Sequence, residues 1–370
     1  MHYGLLLPAI ALTVASFLLS LALTAATKNW ALRCGFVAHP VQDRFHRTAM
    51  PLGGGVAIFF TISVFILAVV LTAELITLAG ASQRLPEALR VHLPGLLDKT
   101  VSVLVVLAGL GMLHLLGLWD DYKHLGPYFK LIVQFAVAAA LAALADIRVE
   151  LFIENKLITT LFSMVWIVLI INAFNFLDNM DGLCAGIAII SSAILLSAAV
   201  QSGQVFVGGL ALVFIGAMAG FLVYNFPPAK IFMGDAGSLV AGCMVAVLTL
   251  RTTYYQQARS GGWYAVLMPL VVMAVPLYDF ISVTLLRLAQ GKSPFVGDTQ
   301  HFSHRLKKRG LTNRQTVLTL YLATFCTGLG ALSLQQVDLP GAILIFIQTV
   351  MILAIIAVLE TTVKGVSDDS

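Results

Sequence analysis

Stretches of about twenty apolar residues recur along this chain, the length a helix needs to cross the hydrocarbon core of a bilayer. In hydrocarbon every backbone N–H and C=O must be satisfied within its own segment, so such stretches become helices. Eleven occur: 4–26, 54–73, 100–118, 129–145, 157–174, 183–201, 205–223, 238–250, 263–286, 316–334 and 339–360. The eighth is short. The ninth is long and holds Pro269 and Pro276, which remove backbone donors and should kink or break it. Only 11% of the residues are charged, where a soluble protein carries about 25%. A single soluble core is excluded. The expected fold is all-α, a polytopic integral membrane protein of about eleven transmembrane helices, with residues 1–370 as a single membrane-embedded domain. The first run opens Met1-His2-Tyr3 with no Lys/Arg region before it, so it reads as a retained span and not as a signal peptide.

Charge sets the orientation. With border residues assigned to the nearer loop, loops 27–53, 119–128, 175–182, 224–237 and 287–315 and the C-terminus carry 15 Lys and Arg, and the opposite loops carry 7. The richer side is expected to be cytoplasmic, with the N-terminus outside and the C-terminus inside. A formal charge of +4 is too small to point to nucleic acid. Cys34, Cys184, Cys243 and Cys326 lie far apart, without a C-x-x-C pair. They offer neither a disulfide framework nor a zinc pattern.

The polar clusters all fall on the cytoplasmic side. Asp120-Asp121 ends the third run. Two adjacent carboxylates beside hydrocarbon repel each other and are costly. They read either as a solvated helix end or as ligands and base for a hard cation. Lys130 and Gln134 follow one turn apart. Lys130 reads as a snorkelling anchor or as a holder of an anionic lipid head group. Asn172, Asn175, Asp178 and Asp181 recur every third residue and end on Gly182. A 3₁₀ turn would align them, and an α-helix would spread them along a stripe. Asn and Asp there suit a base and ribose, or a metal shell. Gly234-Asp235-Ala236-Gly237-Ser238 precedes a helix. Asp235 reads as a cap, or the turn's free N–H groups as a phosphate seat. Asp279, inside the ninth run, is a functional candidate or a partner for a neighbouring helix. Asp298-x-x-His301-x-x-His304-Arg305 leads into Lys307-Lys308-Arg309. It lacks a zinc pattern. The basic run suits anionic lipid, and the two His with an Arg suit a pyrophosphate, with imidazolium adding charge.

Together these residues resemble the polyprenyl-phosphate N-acetylhexosamine-1-phosphate transferases, of glycosyltransferase family 4 type. Five motifs carry the resemblance, in family order along nearly the whole chain. They are His46, Pro51, Gly54 and Gly55; Asp120-Asp121; the Asn/Asp segment 172–182; Met233 to Ser238; and the His/Arg loop 298–305. The resemblance implies a transferase moving HexNAc-1-phosphate from a UDP-sugar to polyprenyl (undecaprenyl) phosphate with release of UMP. It implies Mg²⁺ as cofactor, with Mn²⁺ as the alternative, in a bacterial inner (cytoplasmic) membrane, with the active site on the cytoplasmic face. Asp120, Asp121 and Asp235 match the catalytic and metal-binding acids. Asn172, Asn175, Asp178 and Asp181 match the nucleotide-sugar segment. Lys130 matches a lysine near the lipid phosphate. Arg47, His301, His304 and Arg305 complete the substrate-binding set. The partners implied are a UDP-N-acetylhexosamine, polyprenyl phosphate and the bilayer, with a homodimer left open. Ala236 and the loop pattern resemble the GlcNAc-1-phosphate branch more than the phospho-N-acetylmuramoyl-pentapeptide transferase that forms lipid I. This chain departs from the family in having Asn179 in place of Gly, Leu52 in place of a basic residue, and no third His in 301–304.

Three rival readings fit less well. A secondary transporter would hold its acids near the bilayer midplane, whereas these gather at span ends. A CDP-alcohol phosphatidyltransferase shares Asp178-x-x-Asp181-Gly182 but would continue with Ala-Arg, and here Leu183-Cys184 follows. An intramembrane aspartyl protease needs two mid-span Asp residues, and Asp235 precedes its span.

Overall fold

A computed structural model describes residues 5–38, 49–149, 153–255, 262–293 and 301–361. Each of the eleven apolar runs is helical. In chain order the long helices are α1 (Leu6–Cys34), α2 (Gly54–Leu78), α5 (Thr100–Tyr122), α6 (Pro127–Ala143), α7 (Lys156–Leu177), α8 (Leu183–Gln201), α9 (Val205–Asn225), α10 (Asp235–Arg251), α12 (Ala274–Ala289), α14 (Asn313–Ser333) and α15 (Leu339–Thr361). Short helices fill the gaps: α3 (Glu87–Arg90), α4 (Leu93–Asp98), α11 (Met268–Val272) and α13 (Phe302–Lys308). The all-α expectation meets one small exception, a two-residue antiparallel pair of β1 (Val37–Ala38) with β2 (Met50–Pro51). Among the described residues, 8 helices are long and apolar enough to cross a bilayer, or 9 with one bent pair taken as a single span. α6 and α10 have 17 residues each, fewer than the roughly 20 a crossing needs.

The bent pair is the ninth run. The segments Trp263–Val272 and Ala274–Ala289 meet at 63°. The break falls at Met273, not at a proline. Pro269 and Pro276 instead occupy the first turns of α11 and α12, where a helix does not need their N–H. Pro276 cannot donate to Val272, and its ring crowds the preceding turn. The chain therefore breaks one turn before the proline.

α10 is the axis of the bundle. Of its 17 residues, 14 are buried, and α2, α5, α7 and α8 pack around it. Close approach needs a residue without a side chain. A Cβ on Gly117 of α5 would lie 2.3 Å from Ala236 N, so any larger residue would push the third and eighth runs apart.

Contacts between loops sort by end. Gly54 N donates to Phe232 O at 3.0 Å, and Arg314 Nε donates to Pro227 O at 2.9 Å. At the other end Gln204 Nε2 donates to Arg251 O at 2.9 Å, and Tyr264 OH donates to Val337 O at 2.5 Å. The loops richer in Lys and Arg thus lie together, at the end that carries the acidic clusters.

Candidate active site

Asp120 and Asp121 close α5, and their side chains diverge. Asp120 Oδ1 accepts from Leu125 N at 2.7 Å, and its Oδ2 lies 3.0 Å from Lys130 Nζ. Asp121 turns to α10. Its Oδ1 accepts from Asp235 N at 2.9 Å and its Oδ2 from Ala236 N at 3.2 Å. Asp121 therefore caps α10 from another helix, a favourable place for a negative charge. The expectation of free N–H groups in this turn is corrected. Asp121 occupies the first two, and Gly237 N and Ser238 N both donate to Gly234 O at 3.0 Å. The carboxylate stands where a phosphate would. Gly234 makes this fit possible, because its φ is 70° and a Cβ would lie 2.4 Å from Asp121 Oδ2.

Lys130 joins α5, α6 and α10. Its ammonium lies 3.0 Å from Asp120 Oδ2 and 2.9 Å from Asp235 Oδ2. It points at two carboxylates, so the snorkelling alternative falls. Asp235 Oδ1 accepts from Asn175 Nδ2 at 2.9 Å, and the same amide donates to Ser238 Oγ at 2.9 Å. One cation thus holds two acids from different helices, and α7 adds an amide.

The Asn/Asp segment does not share one face. α7 ends at Leu177, Asp178 takes the C-cap, and Asp181 sits in the turn before α8. Asn172 Nδ2 faces α6, donating to Gln134 Oε1 at 2.6 Å. Asn175 faces α10. Asp181 is buried and accepts from Ala229 N at 3.0 Å. It anchors the loop that leads to Asp235. Asn225 supports the same loop, accepting from Gly182 N and donating to Ile231 O, both at 2.9 Å. The first motif also grips it. Phe232 N donates to Pro51 O at 2.9 Å, and Gly55 N donates to Met233 O at 3.0 Å. The candidates His46, Arg47 and Asp298 lie outside the described residues.

A second cluster forms beside the first. Asp279 is fully buried in α12. Its Oδ2 lies 2.9 Å from His301 Nδ1, and its Oδ1 accepts from Phe302 N at 3.0 Å. Of the two readings left open for Asp279, the helix-partner one describes what it touches. The His301 ring meets Phe176 edge-on at 5.4 Å, and the Arg287 guanidinium lies 5.0 Å from the same Phe176 ring. Ser303 Oγ donates to Asn179 Oδ1 at 2.5 Å, and Asn179 Nδ2 donates to Phe176 O at 2.5 Å. Phe176, one residue beyond Asn175, and Asn179, just past the end of α7, thus tie α13 to that end of the helix. Arg305 Nη2 meets Glu360 Oε2 at 2.8 Å and donates to Ser282 Oγ at 3.0 Å. Burial, then the neighbouring charge of His301, pushes His304 down to about 4. His304 is therefore neutral at pH 7, which corrects the expectation that it adds imidazolium charge.

Among the described residues no three His, Cys, Asp or Glu side chains converge into a metal cage. The donors present nevertheless suit Mg²⁺, which typically takes one or two carboxylates and completes its shell with water and substrate phosphate. Asp120 Oδ2 and Asp235 Oδ2 already converge on one cationic point, the Lys130 ammonium. Asp121 fits less well, since both its oxygens bind backbone N–H groups.

Comparison with known proteins follows the same residues. Residues 103–253 match the model of glycosyl transferase family 4. The chain is 29% identical over 353 residues to a Bacillus subtilis protein described as a probable undecaprenyl-phosphate N-acetylglucosaminyl 1-phosphate transferase, covering 93% of this chain and 90% of that one. It is 31% identical over 353 residues to a Mycolicibacterium smegmatis decaprenyl-phosphate N-acetylglucosaminephosphotransferase, covering 89% and 82%. It is 29% identical over 356 residues to a Yersinia pestis undecaprenyl-phosphate alpha-N-acetylglucosaminyl 1-phosphate transferase, covering 92% and 86%.

Proposed function

The chain belongs to glycosyl transferase family 4, and on that premise we propose that it moves GlcNAc-1-phosphate from UDP-GlcNAc to undecaprenyl phosphate. The observation that carries the reading is Lys130 held between Asp120 and Asp235, with Asn175 on the far oxygen of Asp235. This is a half-buried, charge-dense point at the Lys/Arg-rich end of a multi-pass membrane protein. It suits one phosphate anchored in the bilayer and one diphosphate arriving from the cytoplasm of a bacterium. We take α6 and α10 as spans too, giving eleven, with the N-terminus outside.

A lipid phosphate oxygen attacks the β-phosphorus of the UDP-sugar. The bond to the bridging oxygen breaks, UMP leaves with the electron pair, and polyprenyl-diphospho-GlcNAc stays in the membrane. The nucleophile is already an anion, so direct attack needs no proton removed first. Lys130 meets the lipid phosphate, and Asp120 sets where that ammonium points. Asn175 fixes the rotamer of Asp235. Asp121 locks the turn that carries Asp235. His301, His304 and Arg305 face the sugar diphosphate, Arg305 supplying the charge. Asp235 and Asp120 would hold Mg²⁺, which neutralises diphosphate charge when bound.

The test is purified protein with a polyprenyl phosphate, Mg²⁺ and a panel of UDP-sugars. UMP release is expected with UDP-GlcNAc and only when the lipid is present. Release with another UDP-sugar alone would reassign the donor. Absence of release from all of them would overturn the reading.

A further inference from the structure

Glu360 stands apart from every motif. It is the penultimate residue of α15, after a run of apolar residues, yet it is buried. The other buried residues of α15 are Ala342, Ile345, Thr349 and Ile356, none of them charged. Around Glu360, side chains from α12 and from α13 with its C-cap converge. Arg305 Nη2 from α13 lies 2.8 Å from its Oε2. Tyr278 OH from α12 donates to the same oxygen at 3.3 Å. Arg309 Nε donates to the Glu360 carbonyl at 2.9 Å. Ser282 Oγ, also on α12, accepts from Arg305 Nη2 at 3.0 Å. Both partners of Arg305 named here therefore act on one nitrogen of the guanidinium. Arginine has a rigid planar fork, so two bonds on one nitrogen set the plane of the whole group. A long, rotamer-rich side chain is thereby ordered before any ligand arrives, which lowers the cost of binding.

We propose that Glu360 is a positioning residue acting through Arg305, holding the guanidinium ready for the diphosphate of the sugar nucleotide. The proposal rests on the functional reading above. It deepens that reading by bringing the last helix, which carries none of the motifs, into recognition of the donor. A residue that only anchored α15 would change the amount of folded protein. A residue that orients Arg305 changes the affinity for the donor.

The experiment uses the full chain in lipid nanodiscs, with UMP release measured against UDP-GlcNAc concentration at saturating polyprenyl phosphate. Glu360→Gln is expected to raise the UDP-GlcNAc KM about tenfold and to leave kcat within about threefold, because it removes ordering at the donor and leaves the reacting groups in place. Ser282→Ala, a milder change, should raise KM in the same direction by less. In an Arg305→Ala background Glu360→Gln should raise KM no further, since a residue acting through another has nothing left to act on. An unchanged KM in Glu360→Gln and Ser282→Ala, or equal KM increases with and without Arg305, overturns the proposal. So does a lower kcat at unchanged KM with a lower Tm, the pattern of simple anchoring. If the unaltered protein releases no UMP from any donor, the functional reading falls, and the proposal falls with it. An active unaltered protein with an unresponsive Glu360→Gln removes the proposal alone.

Discussion

Asp235 meets a lysine and an asparagine, whereas Asp279 meets a histidine ring and a backbone amide. Both acids sit near the start of a helix in the same half of the molecule. Around Asp235 the acids outnumber the cation, with two carboxylates on one ammonium and a third carboxylate on a helix N-terminus. An arrangement with surplus negative charge is ready for a second cation. Around Asp279 the acid is fully buried, and both its oxygens have partners within hydrogen-bond distance that shape α13. On the proposed reading the first cluster carries the chemistry, while Asp279 in the second holds the start of α13 in place. Both use the same device, a carboxylate from one helix receiving backbone N–H groups of another.

The widest gap should appear in turnover. Asp235→Asn should lower kcat about a thousandfold or more with little change in Tm, because it removes charge where the phosphates react. Near-normal turnover would sink the assignment. Asp279→Asn should lower kcat far less. If the two variants lost equal kcat, the division of labour drawn here would be wrong.

Metal removal sharpens the same contrast. Chelation should abolish UMP release while the Tm of the ligand-free protein shifts little, since Lys130 already bridges the acids. A large fall in Tm would show that the carboxylates need a metal to fold.

Stability should rank the other way. Asp279→Asn leaves a buried site with a poorer acceptor for His301 and Phe302, a loss of about 1–3 kcal/mol. Asp121→Ala removes the cap of α10 and should cost about 1–2 kcal/mol. Thermal unfolding of both variants checks the order.

The pH dependence belongs to the second cluster. His304 takes its proton only near pH 4 when folded, against about 6.5 when unfolded. Between those values the unfolded chain binds more protons, so stability falls as pH falls through that window. His304→Asn should flatten Tm against pH there. The smallest effect expected is Ser303→Ala, about 0.5–1.5 kcal/mol for one hydrogen bond, and adding Asn179→Ala should cost a similar amount again, for the bond from Asn179 to Phe176 O.

The helical runs were legible because hydrocarbon leaves a backbone few options. The acidic site was legible as a set of motifs, but its wiring was not. Lys130 reaches Asp235 across 105 residues of sequence, and no local pattern encodes which acid it meets. The three-residue spacing of Asn172, Asn175, Asp178 and Asp181 suggested one face, yet α7 stops between the second and third. Ser238 and Asn225 have no role that the sequence alone shows, since a lone polar residue at a span end looks like a solvated one. Glu360 carried no signal at all. An acid closing an apolar helix is ordinary until its neighbours are known.

The burial of α10 bears on where such a protein can work. Cell membranes differ in thickness, and a helix in contact with lipid answers by tilting or bending. α10 carries Asp235, and 14 of its 17 residues are shielded by other helices. A thicker or thinner bilayer would strain the lipid-facing helices first, and the proposed reacting centre would feel it only at second hand.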